Sequence, residues 1–295
     1  MTKYFITEEQ MQVFIEQVGE EVFDHDRVRA HMFDWDDNIL NMPTKIKMDK
    51  NVGGQWQAVD VSTEEFRDFR NDSNYKLRGE SPEVAFEDFR NDSAFIRDIK
   101  VALQDLETSK AGSYDKFIES VKYANPFAII TARGHSPQGL RAGTGFLIQN
   151  VMSEQDFEVM VDNIKRRYDK YPGIHLASDK DLISLYLDNQ TYHPVSSYEF
   201  QEKFGNDEID ASNPEVGKQI AIEHFVDKVM DKVMQAEREG KDIQNISFGF
   251  SDDDIGNVKI AEKLIEDKLN HMYPGVKFIV YDTSDEENVI KIKKY

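Results

Sequence analysis

Apolar positions in this chain fall into short unbroken runs separated by longer amphipathic stretches, the pattern of strands alternating with helices. The run Val28 to Phe33, interrupted by Arg29 and His31, predicts a buried strand. Phe127 to Ile130 before Thr131, Asn245 to Phe250, and Lys277 to Tyr281 predict three more. Strands apolar on both faces belong to parallel sheets covered by helices on each side. Helical spacing of Met11, Phe14, Ile15, Val18 and Val22 predicts a helix over 7–23. Further starts fall at Ser62-Thr63-Glu64-Glu65, Ser81-Pro82-Glu83 and Ser113, in a mostly helical stretch reaching Tyr123. Ser136-Pro137 opens a helix to about Asn150, and another spans Ser153 to about Tyr168. Asn213-Pro214-Glu215 opens a long helix with its apolar stripe at Ala221, Ile222, Phe225, Val229, Val233 and Met234, and a last helix covers 257–270. Gly53-Gly54 between Lys45–Met48 and Trp56–Val61 predicts a hairpin, a flap near the end of the first strand. Beyond Tyr168, the part of 153–205 that runs through Tyr171-Pro172-Gly173 and Tyr192-His193-Pro194 has no clear period, and Ile290 to Tyr295 reads as an exposed polar end.

Composition narrows the function classes. The formal charge of −20 argues against a broad nucleic-acid or anionic-membrane surface, while leaving room for a local basic pocket. The absence of cysteine excludes disulfides, thiolate metal sites and cysteine nucleophiles. No apolar run approaches the roughly 20 residues that span a bilayer, and the amino terminus lacks a signal-peptide pattern. The expectation is a cytoplasmic protein with no membrane partner.

Chemistry enters where the first strand ends. Asp34, Asp36 and Asp37 put three carboxylates in four residues, and Ser251-Asp252-Asp253-Asp254 puts a second acidic group after another buried strand. If the strands are parallel their ends share one edge of the sheet, and two acidic groups converging there call for a divalent cation. Thr131 ends the strand between them in sequence, with Arg133 and His135 in the following turn. Lys218 lies on the inward stripe of the long helix, where it needs a counter-charge. One motif stands apart: Asp-Phe-Arg-Asn-Asp-Ser occurs at 68–73 and again at 88–93, which reads as a duplicated helix end.

These features together resemble the haloacid dehalogenase-like superfamily of phosphohydrolases. Asp34-Trp35-Asp36 is similar to its first motif, Ile129-Ile130-Thr131-Ala132-Arg133 to its second, Lys218 to its third, with Lys180 as a substitute, and Ser251-Asp252-Asp253-Asp254 to its fourth. The sequence departs from the family pattern at Asp37, often Gly, at Asn38, usually Thr or Val, and at Ser251, commonly Gly. The resemblance implies an α/β fold, a parallel Rossmann-like sheet flanked by helices with mostly helical cap-type insertions. The core would comprise 1–40, 125–134 and 213–295, with a first insertion at 41–124 and a second, of undetermined fold, at 135–212.

The resemblance also implies a chemistry. Asp34 would attack phosphorus to form an aspartyl-phosphate, and Asp36 would protonate the leaving oxygen and then activate water. Mg²⁺ would be held by Asp34, the carbonyl of Asp36, and Asp252 or Asp253. Thr131 and Lys218 would hold the phosphoryl oxygens, and Arg133 would contact substrate. The expected substrate is a small phosphate monoester, with a nucleic-acid or protein phosphate as other members of the class. A catalytically idle metal-binding scaffold or interaction protein of the same fold is the competing expectation.

Overall fold

The structure, a computed structural model, describes residues 27–168, 173–205, 213–284 and 290–294, so the helix expected over 7–23 lies outside the described residues. In chain order, β1 (Arg27–Phe33) leads to the antiparallel hairpin β2 (Ile46–Val52) and β3 (Gln55–Val61), helix α1 (Thr63–Phe69) and the short strand β4 (Tyr75–Leu77). Helices α2 (Asp92–Ala102) and α3 (Tyr114–Lys122) precede β5 (Phe127–Thr131). Then follow α4 (Pro137–Val151), α5 (Glu154–Arg167), α6 (Asp179–Asp188), β6 (Thr191–Pro194) and α7 (Tyr198–Phe204). The chain continues with α8 (Pro214–Arg238), β7 (Asn245–Asp252), α9 (Ile255–Leu264), β8 (Lys277–Asp282) and β9 (Ile290–Lys294).

The main sheet has the order β6-β5-β1-β7-β8-β9, parallel from β6 to β8, with β9 antiparallel at its rim. This is the α/β, Rossmann-like architecture expected from runs apolar on both faces. Alternation along β1 divides its burial between two cores. Val28, Ala30 and Met32 pack with Phe225, Val229 and Phe248 on the α8 and α9 side. Phe33 packs with Phe95, Phe117 and Leu140 on the side of α2, α3 and α4. Gly249 in β7 lies opposite His31 of β1, and a Cβ there would come within 2.3 Å of the imidazole, so the two strands pair closely only with glycine at that position.

Several expectations change. The segment 135–212 contributes β6 to the main sheet, paired with β5 from Ala128↔Thr191 to Thr131↔Pro194, so it is not wholly an elaboration outside the core. A four-residue strand containing His and Pro carries too little periodicity to read from sequence. Ile290 to Lys294, expected as a polar end, instead pairs with β8. The last helix starts at Ile255 and widens into a π turn at Ile265–Leu269. The 62–123 stretch is interrupted by β4, which adds a third strand to the β2–β3 hairpin. That small sheet covers its own core of Ile46, Met48, Val61, Ala85 and Phe89.

The two hexamers share the expected helix end, Arg70 capping α1 and Arg90 capping the short 3-10 turn Glu87–Phe89, and then diverge. The first copy ends α1, and its Phe69 stacks on Tyr75 at 4.2 Å between ring centroids. The second precedes a helix: Asn91 caps α2 by accepting from the backbone N–H groups of Ser93 and Ala94.

Candidate active site

Register brings the acids together. Phe33 is paired with Ile129 on one side and Ser251 on the other, so Asp34, Thr131 and Asp252 leave the sheet at the same carboxyl edge. Helix α8 supplies the fourth group. Asn213 caps it by accepting from the Glu215 backbone N–H, Pro214 occupies its first turn, and Lys218 then falls on the buried face, 3% exposed. The Lys218 ammonium donates to Asp34 Oδ2 at 3.1 Å and to Asp252 Oδ2 at 2.7 Å. Burial disfavours its charge, but Asp252 and Asp34 outweigh that effect and raise its pKa. Lys180, in contrast, is exposed on α6.

Asp34, Asp252 and Asp253 each offer a carboxylate oxygen within 4.8 Å of the others, and all three are buried. Burial raises the pKa of Asp34, although Lys218 opposes it. Burial pushes Asp252 up to about 6 and, together with the charges of Asp252 and Asp34, pushes Asp253 up to about 8. Asp34 Oδ1 is buried with no hydrogen-bond partner. Asp252 Oδ1 is satisfied by the Asp254 backbone N–H and the Asn257 amide, both at 3.0 Å. Asp254 itself caps α9, accepting from the Gly256 N–H at 2.7 Å, and takes no place in the triad.

Asp36 points elsewhere. Arg133 grips its carboxylate through Nε at 2.7 Å and Nη2 at 2.5 Å. The guanidinium is 1% exposed, donates also to Thr44 Oγ1 and lies over the rings of Phe89 and Phe95. Its Nη1 stands 3.1 Å from His135 Nε2. Arg133, expected to contact substrate, has each guanidinium nitrogen within hydrogen-bond distance of a protein group and also lines the cavity. His135 is held neutral: burial and the neighbouring Arg133 push its pKa down to about 3, so its 3.6 Å approach to Asp92 is not an ion pair. Thr131 is buried at the cavity wall, where its hydroxyl accepts from the Arg133 N–H at 3.3 Å.

Asn38 and Ser251 touch one another. The Asn38 amide lies within donating distance of Asp34 O at 3.0 Å and of Ser251 O and Oγ at 3.2 Å, while Thr283 Oγ1 donates to Asn38 Oδ1 at 2.8 Å. Asp37 adopts φ 52°, a left-handed conformation that Asp tolerates better than most residues, and so turns the chain between Asp36 and Asn38. Its carboxylate accepts from Thr63 Oγ1 at 2.6 Å, and burial pushes its pKa up to about 6. Arg67 of α1 reaches across from the first insertion, 2.7 Å from Asp253 Oδ2 and 3.5 Å from Asp37 Oδ2. Sequence reasoning missed Arg67, Thr44 and Thr283, whose partners lie 30 to 245 positions away along the chain.

The groups line one cavity of about 520 Å³, whose walls also include Phe66, Phe86 and Arg90 of the first insertion and Gln201 of α7. No described helix is long and apolar enough to cross a membrane. Fold and site thus define an α/β protein whose parallel strands end on a buried acidic cluster at a cavity. Compared with models of known families, curated proteins and solved structures, the chain has no match.

Proposed function

We propose that the protein is a Mg²⁺-dependent phosphohydrolase of the haloacid dehalogenase-like type, cleaving a phosphate monoester through an aspartyl-phosphate. The observation that carries this reading is the buried triad of Asp34, Asp252 and Asp253 with Lys218 as its internal cation and Asp34 Oδ1 left without a partner. Four carboxylates, of Asp34, Asp37, Asp252 and Asp253, face the two cations Lys218 and Arg67. With all four ionised the deficit is two positive charges, which a divalent ion would offset, and an all-oxygen donor set suits a hard one. Asp34, Asp252 and Asp253 would hold it, and bound there Mg²⁺ would offset the charge of the phosphoryl group.

Asp34 is the nucleophile in this reading. Its carboxylate oxygen bonds to phosphorus as the bond to the leaving oxygen breaks. Lys218 stabilises the phosphoryl oxygens from the buried side, and the Thr131 hydroxyl donates to one of them. Asp36, once one of its oxygens is freed from Arg133 and protonated, supplies the proton that the leaving oxygen takes up. It then removes a proton from the water that attacks the aspartyl-phosphate, which releases inorganic phosphate and restores Asp34. To reach a leaving oxygen Asp36 must open one arm of its fork with Arg133, so Arg133 is a positioning residue for the acid.

The test is hydrolysis of an aryl phosphate with and without Mg²⁺. Turnover should require the metal, and Asp34→Asn should lower it by ~10⁴-fold or more, as for other nucleophile deletions. Turnover unchanged in Asp34→Asn would refute the mechanism. Mg²⁺ binding without turnover of any ester in a broad panel would favour the idle scaffold.

A further inference from the structure

Both copies of the repeated hexamer end a helix with their arginine at its carboxyl cap, and only the second leads directly into another helix. Its acids are occupied differently too: Asp72 accepts from the Asn74 N–H, whereas Asp92 accepts from the N–H and hydroxyl of Ser136. The copies also share the destination of their arginines. Arg70 and Arg90 both line the cavity that contains Asp34, Thr131 and Lys218.

We propose that Arg70 and Arg90 form a second anion-binding site in this cavity, and that the substrate is a small phosphomonoester carrying a second phosphate and a planar ring, as a nucleoside bisphosphate does. The inference rests on the phosphohydrolase reading and names the substrate class of that same site.

Four observations lead here. First, the other arginines of the described segment from 41 to 134 all grip carboxylates: Arg67 with Asp253, Arg78 with Asp60, Arg97 with Asp98 and Arg133 with Asp36. Arg70 and Arg90 are exposed and form no side-chain hydrogen bond or ion pair with a described residue. In a chain of net charge −20, acidic partners are abundant, yet Arg70 and Arg90 are in hydrogen-bond contact with none, Arg90 only feeling the charge of Glu83, so the two make a local positive rim at the cavity. Second, a guanidinium presents a planar fork of donors matched to phosphate oxygens, and a pair of them suits a dianionic group.

Third, the cavity of about 520 Å³ has the size of sites that enclose a whole small molecule, well beyond a single phosphoryl group. Fourth, part of the wall of the same cavity is aromatic. Phe66 and Phe86, both half-buried, meet edge to face at 5.5 Å and line the cavity, offering apolar surface to a flat ring. The overall acidity opposes a long polyanion, which favours a small substrate over a polynucleotide.

An oligonucleotide bearing a terminal phosphate offers the same three groups, so the experiment separates the two sources. With the full chain and Mg²⁺, kcat/KM is measured for an aryl phosphate, a nucleoside 5′-monophosphate, a nucleoside 3′,5′-bisphosphate and a short oligonucleotide with a terminal phosphate. The bisphosphate should exceed the monophosphate by tenfold or more, chiefly through KM. The double variant Arg70→Gln, Arg90→Gln should abolish that advantage, whereas Arg166→Gln on the remote helix α5 should keep it. Equal values for mono- and bisphosphate, or an advantage that survives the double variant, would overturn the proposal. A preference shown only by the oligonucleotide would overturn the assignment of a small substrate. If no ester is hydrolysed the phosphohydrolase reading fails. Calorimetric binding of the bisphosphate to Asp34→Asn then decides the anion site: tenfold weakening by the arginine substitutions supports it, and no binding or no weakening refutes it.

Discussion

Two buried ionic clusters lie side by side at the carboxyl edge of the sheet, one closed on itself and one open. In the first, Arg133 is gripped by Asp36 and braced by Thr44, whose hydroxyl donates to Asp98 at 2.7 Å, and Asp98 in turn pairs with Arg97 at 2.9 Å. Two carboxylates meet two guanidinium groups, and three guanidinium nitrogens of Arg133 have partners. In the second, Lys218 must serve Asp34 and Asp252 together while Asp253 relies on the half-exposed Arg67. One lone oxygen of Asp34 has nothing. Burying charge is tolerable when it is paired and costly when it is not. The contrast sets a first cluster that holds Asp36 in place against a second whose charge is left open, as the cation proposed for it requires.

The largest expected effect comes from breaking the closed cluster. Arg133→Met strands the Asp36 carboxylate among buried groups and should cost about 3–5 kcal/mol, read from urea unfolding. Mg²⁺ should restore none of that loss, because the stranded acid is outside the triad. Lys218→Met should cost about 3 kcal/mol without metal, but here added Mg²⁺ should recover part of it, and its stabilising effect should exceed that in the wild type. For the unaltered protein the expected gain is about 2.7 kcal/mol at a hundredfold excess over Kd, seen as a rise in melting temperature. If Mg²⁺ rescued both variants equally, the distinction between the clusters would fall.

The smallest effect sharpens the comparison from outside both clusters. His31 is buried, and that burial, with a lesser contribution from Lys116, pushes its pKa down to about 3 from an ordinary 6.5. The unfolded chain thus binds the proton more readily, so the stability that depends on neutral His31 is complete above pH 6.5 and is lost progressively as pH falls toward 3. The slope is at most about 1.4 kcal/mol per pH unit. In His31→Gln, denaturant midpoints measured between pH 4 and 7 should vary less steeply than in the wild type, with or without Mg²⁺.

The convergence of acids was legible because each group sits beside a strong local signal. Asp34 and Asp252 follow runs apolar on both faces, and Lys218 is placed by a cap and proline that fix where α8 begins. The pairing of Asp36 with Arg133 was not legible, since 97 positions separate them and only the β1–β5 register brings the turns together. Arg133 was accordingly expected at the substrate, and its guanidinium is turned to Asp36 instead. Strands β6 and β9 escaped for a different reason: each is short and lies away from the centre of the sheet, where partners more than pattern decide the conformation. The reach of Arg67 from α1 to Asp253 likewise depends on how the insertion docks, which no local pattern encodes.

The Asn38 side chain ties together the Asp34 carbonyl at the end of β1, Ser251 in β7 and Thr283 just past β8. A single buried amide thus ties the backbone of Asp34 into the body of the sheet. Regions that open ahead of the whole are those with few buried contacts and exposed backbone hydrogen bonds, and this junction has the opposite character. On heating, the local geometry at Asp34 should therefore persist until the sheet itself gives way, so that irreversible loss of the site and global melting share one temperature.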